Sequence, residues 1–151
     1  MPTKRTPKKN SVVVQYAVPR RGVPSASAFR RWAQLASSSS VNLRIVGERE
    51  GRKLNHLYRK KGHATNVLSF HTGDIVLCHP VIRREARAQG KTLAAHYAHL
   101  VVHGVLHVQG YDHVRDADAQ VMEPLESQIV MKLGYPDPYG KDEGGRWKAE
   151  G

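Results

Sequence analysis

The stretch from His99 to His113, HLVVHGVLHVQGYDH, decides the fold of this chain. Together with the apolar residues that precede it, it predicts a buried helix that begins after Thr92, a good N-capping residue, and ends near Gly110. Because glycine tolerates a positive φ, the chain can turn back toward the helix after this point. We therefore expect this helix to lie at the centre of the protein, packed against a sheet.

Three histidines of this stretch have the spacing of a metal site. His103 and His107 are one helical turn apart on the same face, and His113, beyond the glycine, can return to the same ion. Three neutral imidazoles suit one Zn²⁺ ion and leave its fourth position for water or substrate. The pattern therefore predicts a catalytic site rather than a closed structural one.

The histidines have two other interpretations. The spacing is that of the metzincin proteases, but Gly104 stands where H-E-x-x-H has the glutamate that acts as general base, which argues against a zincin-like peptidase. The histidines are alternatively core residues satisfied by hydrogen bonds alone. Their number disfavours this, since burying several unpartnered imidazoles is costly; the same face also carries His96 and His99.

Composition narrows the class of function. With 151 residues, 40% of them hydrophobic, the chain has the size of one domain with its own core. The net charge of +11 predicts attraction to polyanions, with nucleic acid as the first candidate. We see no signal segment and no apolar segment suited to a membrane, and the single Cys78, expected to be a buried small hydrophobe rather than a nucleophile, fits a reduced cytoplasmic protein.

Alternation and helical periodicity predict an α+β fold: a small mixed sheet of about four strands packed with four to five helices, the histidine-bearing helix being central. The expected core-facing residues of the second helix are Leu54, Leu57 and Tyr58. The predicted strands are 11–18, 41–46, 67–70 and 75–78, and the predicted helices are 24–36, 49–60, 80–89, 93–109 and 116–133. We expect a disordered basic arm over 1–10, a single domain over 11–135 and a flexible tail over 136–151.

A second cluster follows the second helix, which ends in Arg59, Lys60 and Lys61. Cations are favourable at any helix C-terminus, so a solvated helix end explains them without a ligand. A phosphate clamp is the competing interpretation, in which Arg59 is the best candidate because its guanidinium can hold a phosphate with two hydrogen bonds. Ser69 and Asn66 flank the next strand, where turn hydrogen bonding and a site explain them about equally well.

These stretches together resemble the YbeY family of bacterial rRNA maturation factors. The resemblance covers most of 41–134 and rests on LNHLYRKKGHATNVLSF (54–70), GDI (73–75), the 99–113 stretch and the closing helix around 118–126. It implies a single-domain α+β metalloprotein, generally zinc-bound, that acts as an endoribonuclease at the 3′ end of small-subunit rRNA and in ribosome quality control. It also implies that His103, His107 and His113 are the metal ligands and that Arg59 is the arginine of the active-site cleft.

The chain departs from the family pattern at Gly62 and Asn66, where relatives often have Asp, so the general base stays open. A bound metal would polarise a phosphodiester oxygen or activate water, while Arg59, with Lys60 or Lys61, holds the phosphate of a single-stranded RNA. The roles of the remaining candidates are left open: Asp112 as support for a ligand imidazole or a plain turn residue, His99 as a hydrogen-bond donor or a core residue, and Ser69 as an RNA contact. The alternatives for function are a non-catalytic, zinc-containing rRNA-binding assembly factor and, less favoured, a metallopeptidase.

Overall fold

The computed structural model describes residues 11–110 and 116–140, with the backbone alone for 116–120. It confirms the predicted α+β class, with a four-stranded mixed sheet and five helices in the described part of the chain. In chain order these are β1 (Val12–Tyr16), α1 (Ala26–Ala36), β2 (Val41–Val46), α2 (Glu48–Arg59), β3 (Val67–Ser69), β4 (Asp74–Cys78), α3 (His79–Ala88), α4 (Leu93–Val108) and α5 (Asp116–Lys132).

The sheet has the strand order β1-β2-β4-β3. Strands β1, β2 and β4 are parallel, whereas β3 pairs antiparallel with β4 at the edge, with Ser69 opposite Ile75. The turn between β3 and β4 contains Gly73 at φ 97°, a backbone conformation that favours glycine. A hairpin therefore brings the predicted 67–70 stretch to the sheet edge.

Alternate residues of β4 face two different layers. Ile75 and Leu77 belong to the main core, which α1, α4 and α5 cover. Val76 and Cys78 face the other side, where Leu54 of α2 packs. Helices α4 and α2 therefore lie on opposite faces of the sheet, and Cys78 is the buried small hydrophobe that the sequence predicted.

Helix α4 has the predicted ends. The hydroxyl of Thr92 accepts a hydrogen bond from the backbone N–H of Ala95 at 3.1 Å, and Gly110 takes a φ of 109°. The helix is apolar around most of its circumference, as expected for a central element. Its buried residues are His96, Tyr97, Ala98, Leu100, Val101, Val102, Gly104, Val105 and Leu106.

The predicted inward orientation of two α2 residues is wrong. Leu57 is 60% exposed and Tyr58 is 57% exposed. The apolar cluster on this face is small, and the last turn of α2 lies at its border, where Tyr58 contacts the ring of Phe70 but remains more than half exposed. Leu54, one turn earlier, does pack against the cluster.

The described chain continues past α5 and folds back onto it. Ser127 donates a hydrogen bond to Asp137 at 2.6 Å, and the hydroxyl of Tyr139 donates to Glu126 at 2.7 Å. The predicted arm 1–10 and the part of the predicted tail from 141 to 151 lie outside the described residues. In the ranges that are described, no helix is long and apolar enough to cross a membrane.

Candidate functional site

Helix α4 brings two of the predicted metal ligands together. The ring centroids of His103 and His107 are 5.5 Å apart, with the planes tilted by 47°. Both side chains are only partly buried, unlike most of their helix. Two imidazoles one turn apart at the surface of a helix can bind the same small cation.

A buried carboxylate lies behind His103. Glu126 of α5 is fully buried, and its Oε2 lies 3.0 Å from Nδ1 of His103. Its Oε1 lies 2.8 Å from Nε2 of His99 and accepts a hydrogen bond from the hydroxyl of Tyr139 at 2.7 Å. Burial acts to raise the pKa of Glu126, but the hydrogen bonds from the two imidazoles and Tyr139 lower the pKa to about 2. The carboxylate is therefore ionised and accepts all three hydrogen bonds.

This arrangement fits a zinc site. Because Nδ1 of His103 donates to Glu126, a metal on this residue would be bound through Nε2, with the carboxylate fixing the ring as it does in many zinc sites. His113 and Asp112 lie outside the described residues, and within those residues there is no group of three side chains able to hold a metal ion. The ligand set and the identity of the metal therefore remain predictions.

His99 and His96 belong to different hydrogen-bond networks. His99 is joined to Glu126, and burial lowers its pKa more than the carboxylate raises it. His96, near the start of α4, instead donates to Glu85 of α3 at 2.8 Å. Thus His99 supports the predicted site through Glu126, whereas His96 joins α4 to α3.

Asn66 also belongs to the network of Glu85. Its side-chain amide donates to Oε1 of Glu85 at 3.0 Å, and its own Oδ1 accepts from the backbone of Val67 at 2.6 Å. An aspartate here would place a second negative charge against Glu85. Asn66, where relatives often have Asp, therefore suits the neighbouring carboxylate of Glu85 better than an aspartate would.

Gly104 faces the sheet rather than the histidines. A Cβ atom at this position would lie 3.0 Å from Cγ2 of Ile75 and 3.2 Å from Oγ of Ser69. At the position of the peptidase base, α4 thus approaches the sheet closely. It has no room for a glutamate.

Strand β3 joins the two predicted clusters. Ser69 is next to Gly104 on the α4 face, and its chain neighbour Phe70 contacts Tyr58 of α2 with ring centroids 5.1 Å apart. Arg59 follows Tyr58 and ends α2, and Lys60 takes a left-handed φ of 58°. The cations Arg59, Lys60 and Lys61 are exposed. Helix α2, which they end, packs on the face of the sheet opposite to α4, the helix that carries His103.

Sequence reasoning missed Glu126 and Tyr139. A signal for Glu126 existed, because it lies one turn from both Met122 and Val130, which are buried apolar residues on α5. A carboxylate in such a row is expected to have buried partners. Tyr139 follows one glycine and two prolines in a segment without periodicity, which gave no such signal.

The sheet order and the two-sided packing define an α+β protein, and the described part of the chain places an imidazole–carboxylate cluster between α4 and α5. The solution structure of TM1509 from Thermotoga maritima has a similar fold, with a TM-score of 0.55 and 20% sequence identity over 89% of this chain and 99% of that chain. This similarity concerns the fold alone.

Sequence comparison gives the family. A model of the family Endoribonuclease YbeY matches residues 23–134. Endoribonuclease YbeY of Pseudomonas entomophila is 51% identical over 137 residues, which cover 80% of this chain and 87% of that protein. Endoribonuclease YbeY of Nitrosomonas europaea is 53% identical over 137 residues, covering 85% and 84%. The chain belongs to the YbeY endoribonuclease family, which confirms the predicted family and the prediction of a hydrolytic nuclease.

Proposed function

We propose that this protein is a zinc-dependent endoribonuclease that cleaves single-stranded RNA in rRNA maturation, at the 3′ end of small-subunit rRNA, and in ribosome quality control in the cytoplasm. One observation carries the proposal beyond family membership: His103 and His107 are adjacent on α4, with the ionised carboxylate of Glu126 behind His103. This is the surrounding expected of a zinc-binding imidazole. His113, from beyond Gly110, is the proposed third ligand.

A bound Zn²⁺ would polarise a phosphodiester oxygen or lower the pKa of a water molecule. The residues of the chain bind and orient the substrate. Arg59 holds the scissile phosphate and offsets the negative charge that develops on it, with Lys60 and Lys61 beside it. Ser69, on the edge strand between the two clusters, is an RNA contact, and Asp112 orients the ligand His113.

The RNA path follows from these positions. Tyr58, which precedes the exposed cations, contacts Phe70 at the end of β3, and His103 precedes Gly104, which approaches Ser69 from the α4 side of the sheet. A single strand can cross the sheet edge, where aromatic side chains such as Tyr58 accept stacked bases and cations hold the backbone. A duplex is too broad to follow both sides of a three-residue edge strand.

The test compares His113→Ala and Arg59→Ala for rRNA cleavage and zinc content. His113→Ala is expected to lose zinc and activity, because two imidazoles hold zinc poorly. Arg59→Ala is expected to keep zinc and lose activity, since its guanidinium stabilises charge without touching the ion. His71→Ala, which removes an exposed histidine, is the matched control and is expected to keep both.

Two results would contradict the proposal. An active His113→Ala protein with normal zinc content would refute the ligand set. Unchanged RNA cleavage after verified removal of the metal would refute the metallonuclease. Zinc and rRNA binding by the wild type without cleavage under any condition would instead identify a non-catalytic assembly factor.

A further inference from the structure

We propose that Glu126 is a positioning residue of the metal site and that Tyr139, from the segment after α5, fixes the carboxylate of Glu126 in place. The inference rests on the proposed function in that His103 is taken as a zinc ligand. It goes beyond that function because it links metal affinity to two residues that do not touch the ion.

The two oxygens of Glu126 have separate partners. Oε2 accepts from Nδ1 of His103 at 3.0 Å. Oε1 accepts from Nε2 of His99 at 2.8 Å and from the hydroxyl of Tyr139 at 2.7 Å. The carboxylate cannot rotate without breaking hydrogen bonds on both sides. Oε2 is therefore held toward His103, and the ring of His103 is held with Nε2 on its outer side.

The helix that carries Glu126 is firmly attached to the core. Met122 and Val130, one turn to either side, are 0% and 1% exposed and belong to the main core. A carboxylate on such a helix is in place before any metal binds. Its hydrogen bond selects one tautomer of His103 and makes Nε2 a better metal ligand.

Tyr139 is itself held by its own segment. Its backbone N–H donates to Oδ1 of Asp137 at 3.0 Å, and the hydroxyl of Ser127 donates to the same oxygen at 2.6 Å. The ring of Tyr139 also packs edge-on against His99, with centroids 5.2 Å apart. The segment after α5 thus reaches back to the carboxylate that supports the site, and it influences the metal through Glu126.

Glu126→Gln removes the charge while keeping the shape of the side chain. An amide has one acceptor oxygen in place of two, so an N–H₂ group must face either His103 or the pair His99 and Tyr139. Tyr139→Phe removes a single hydroxyl that is one hydrogen bond further from the ligand. The larger effect on metal binding is therefore expected from Glu126→Gln.

The experiment measures zinc affinity of the full chain by competition with a chromophoric chelator, and records the visible spectrum of the Co²⁺-substituted protein. Loss of such outer partners typically weakens metal binding by about 10–100-fold, which is expected for Glu126→Gln, with a smaller loss for Tyr139→Phe and altered Co²⁺ bands for both. The matched controls are Glu123→Gln on the same helix and Tyr135→Phe in the same segment, which are expected to bind zinc as the wild type does. Circular dichroism verifies that each variant is folded.

Wild-type zinc affinity and wild-type Co²⁺ bands in both folded variants would overturn the inference. If Glu126→Gln does not fold, Tyr139→Phe decides alone, with wild-type affinity and bands as the overturning result. His103→Ala separates this failure from failure of the proposed function. If His103→Ala loses zinc while the Glu126 and Tyr139 variants bind zinc normally, His103 is a ligand but Glu126 and Tyr139 have no positioning role. If His103→Ala binds zinc normally, the ligand set itself is refuted.

Discussion

Gly104 lies so close to Ile75 that a Cβ atom on it would be 3.0 Å from Cγ2 of Ile75. Ile75 is fully buried in the central part of the sheet and cannot move aside without disturbing the core. The same glycine follows the proposed ligand His103. The contact between helix and sheet therefore determines which chemistry the site can support, because it excludes the glutamate of H-E-x-x-H.

Installing that glutamate is expected to damage the fold rather than create a peptidase. Gly104→Glu drives a charged side chain into Ile75 and Ser69 and should lower the free energy of unfolding by about 4 kcal/mol or more, through overpacking and an unpaired buried charge. Urea unfolding measures the loss. Val121→Glu on α5, where the wild-type side chain is 57% exposed, is the control and should change stability by less than about 0.5 kcal/mol. A stable Gly104→Glu protein with peptidase activity would contradict this account.

A second close approach joins α2 to the sheet. A Cβ atom on Gly51 would lie 2.9 Å from Sγ of Cys78, which is buried. Gly51→Ala is expected to destabilise the protein by about 1–3 kcal/mol from overpacking, reduced by about 1 kcal/mol of gained helix propensity. In a Cys78→Ala background the same substitution should cost less, because the sulfur is gone. A double-mutant cycle by urea unfolding that gives no coupling between the two positions would argue against the contact.

The carboxylate of Glu85 makes stability depend on acid pH. Burial acts to raise its pKa, but hydrogen bonds from His96 and Asn66, with the nearby charge of Lys91, lower the pKa below its ordinary value of 4.5. A lowered pKa gives stability that is present above about pH 4.5 and is lost as the pH falls through the folded-state pKa. Glu85→Gln should therefore be less stable than the wild type at neutral pH and lose less stability on acidification. Parallel unfolding curves for both proteins across this range would refute the prediction.

The exposed cations at the end of α2 are expected to set the salt dependence of RNA binding. Replacing them by Lys60→Asn, which suits the left-handed backbone, and Lys61→Gln should make the slope of log K against log salt shallower by about 0.7 for each lost phosphate contact. Fluorescence anisotropy with a single-stranded RNA measures this slope. The matched control is Arg52→Gln with Lys53→Gln, two exposed cations nearer the start of the same helix, which should leave the slope unchanged. Equal slopes for the Lys60/Lys61 variant and the wild type would place the RNA elsewhere.

Much of the fold was predictable because local signals and packing agree. Helix α4 combined an N-cap, an apolar circumference and a terminal glycine, and the structure has all three. Tyr58 was wrongly predicted to be buried because helical periodicity reports which face an aromatic residue occupies, not how far the sheet beneath it extends. That depends on the small cluster around Val76, which forms only when β4 pairs with its neighbours.

The candidate site was predictable in part for a similar reason. Spacing alone predicts that two side chains on one helix, such as the proposed ligands His103 and His107, lie together, whereas the side chains that contact them come from other elements. Glu126 reaches His103 across 23 residues of sequence and Tyr139 reaches His99 across 40. No local pattern contains such distances, so these partners required the folded chain.

The hydrogen bonds of Glu126 also bear on when the metal is acquired. In a classical zinc finger the ion supplies the free energy that folds the chain. Here α4 and α5 meet through a large apolar core, and the imidazoles of His99 and His103 already have a carboxylate partner within the polypeptide. Folding and metal loading are thus separable events: a chelator should inactivate the protein without unfolding it, and zinc should raise its melting temperature only by mass action. Under the proposed function, metal supply would switch the enzyme while the folded protein persists.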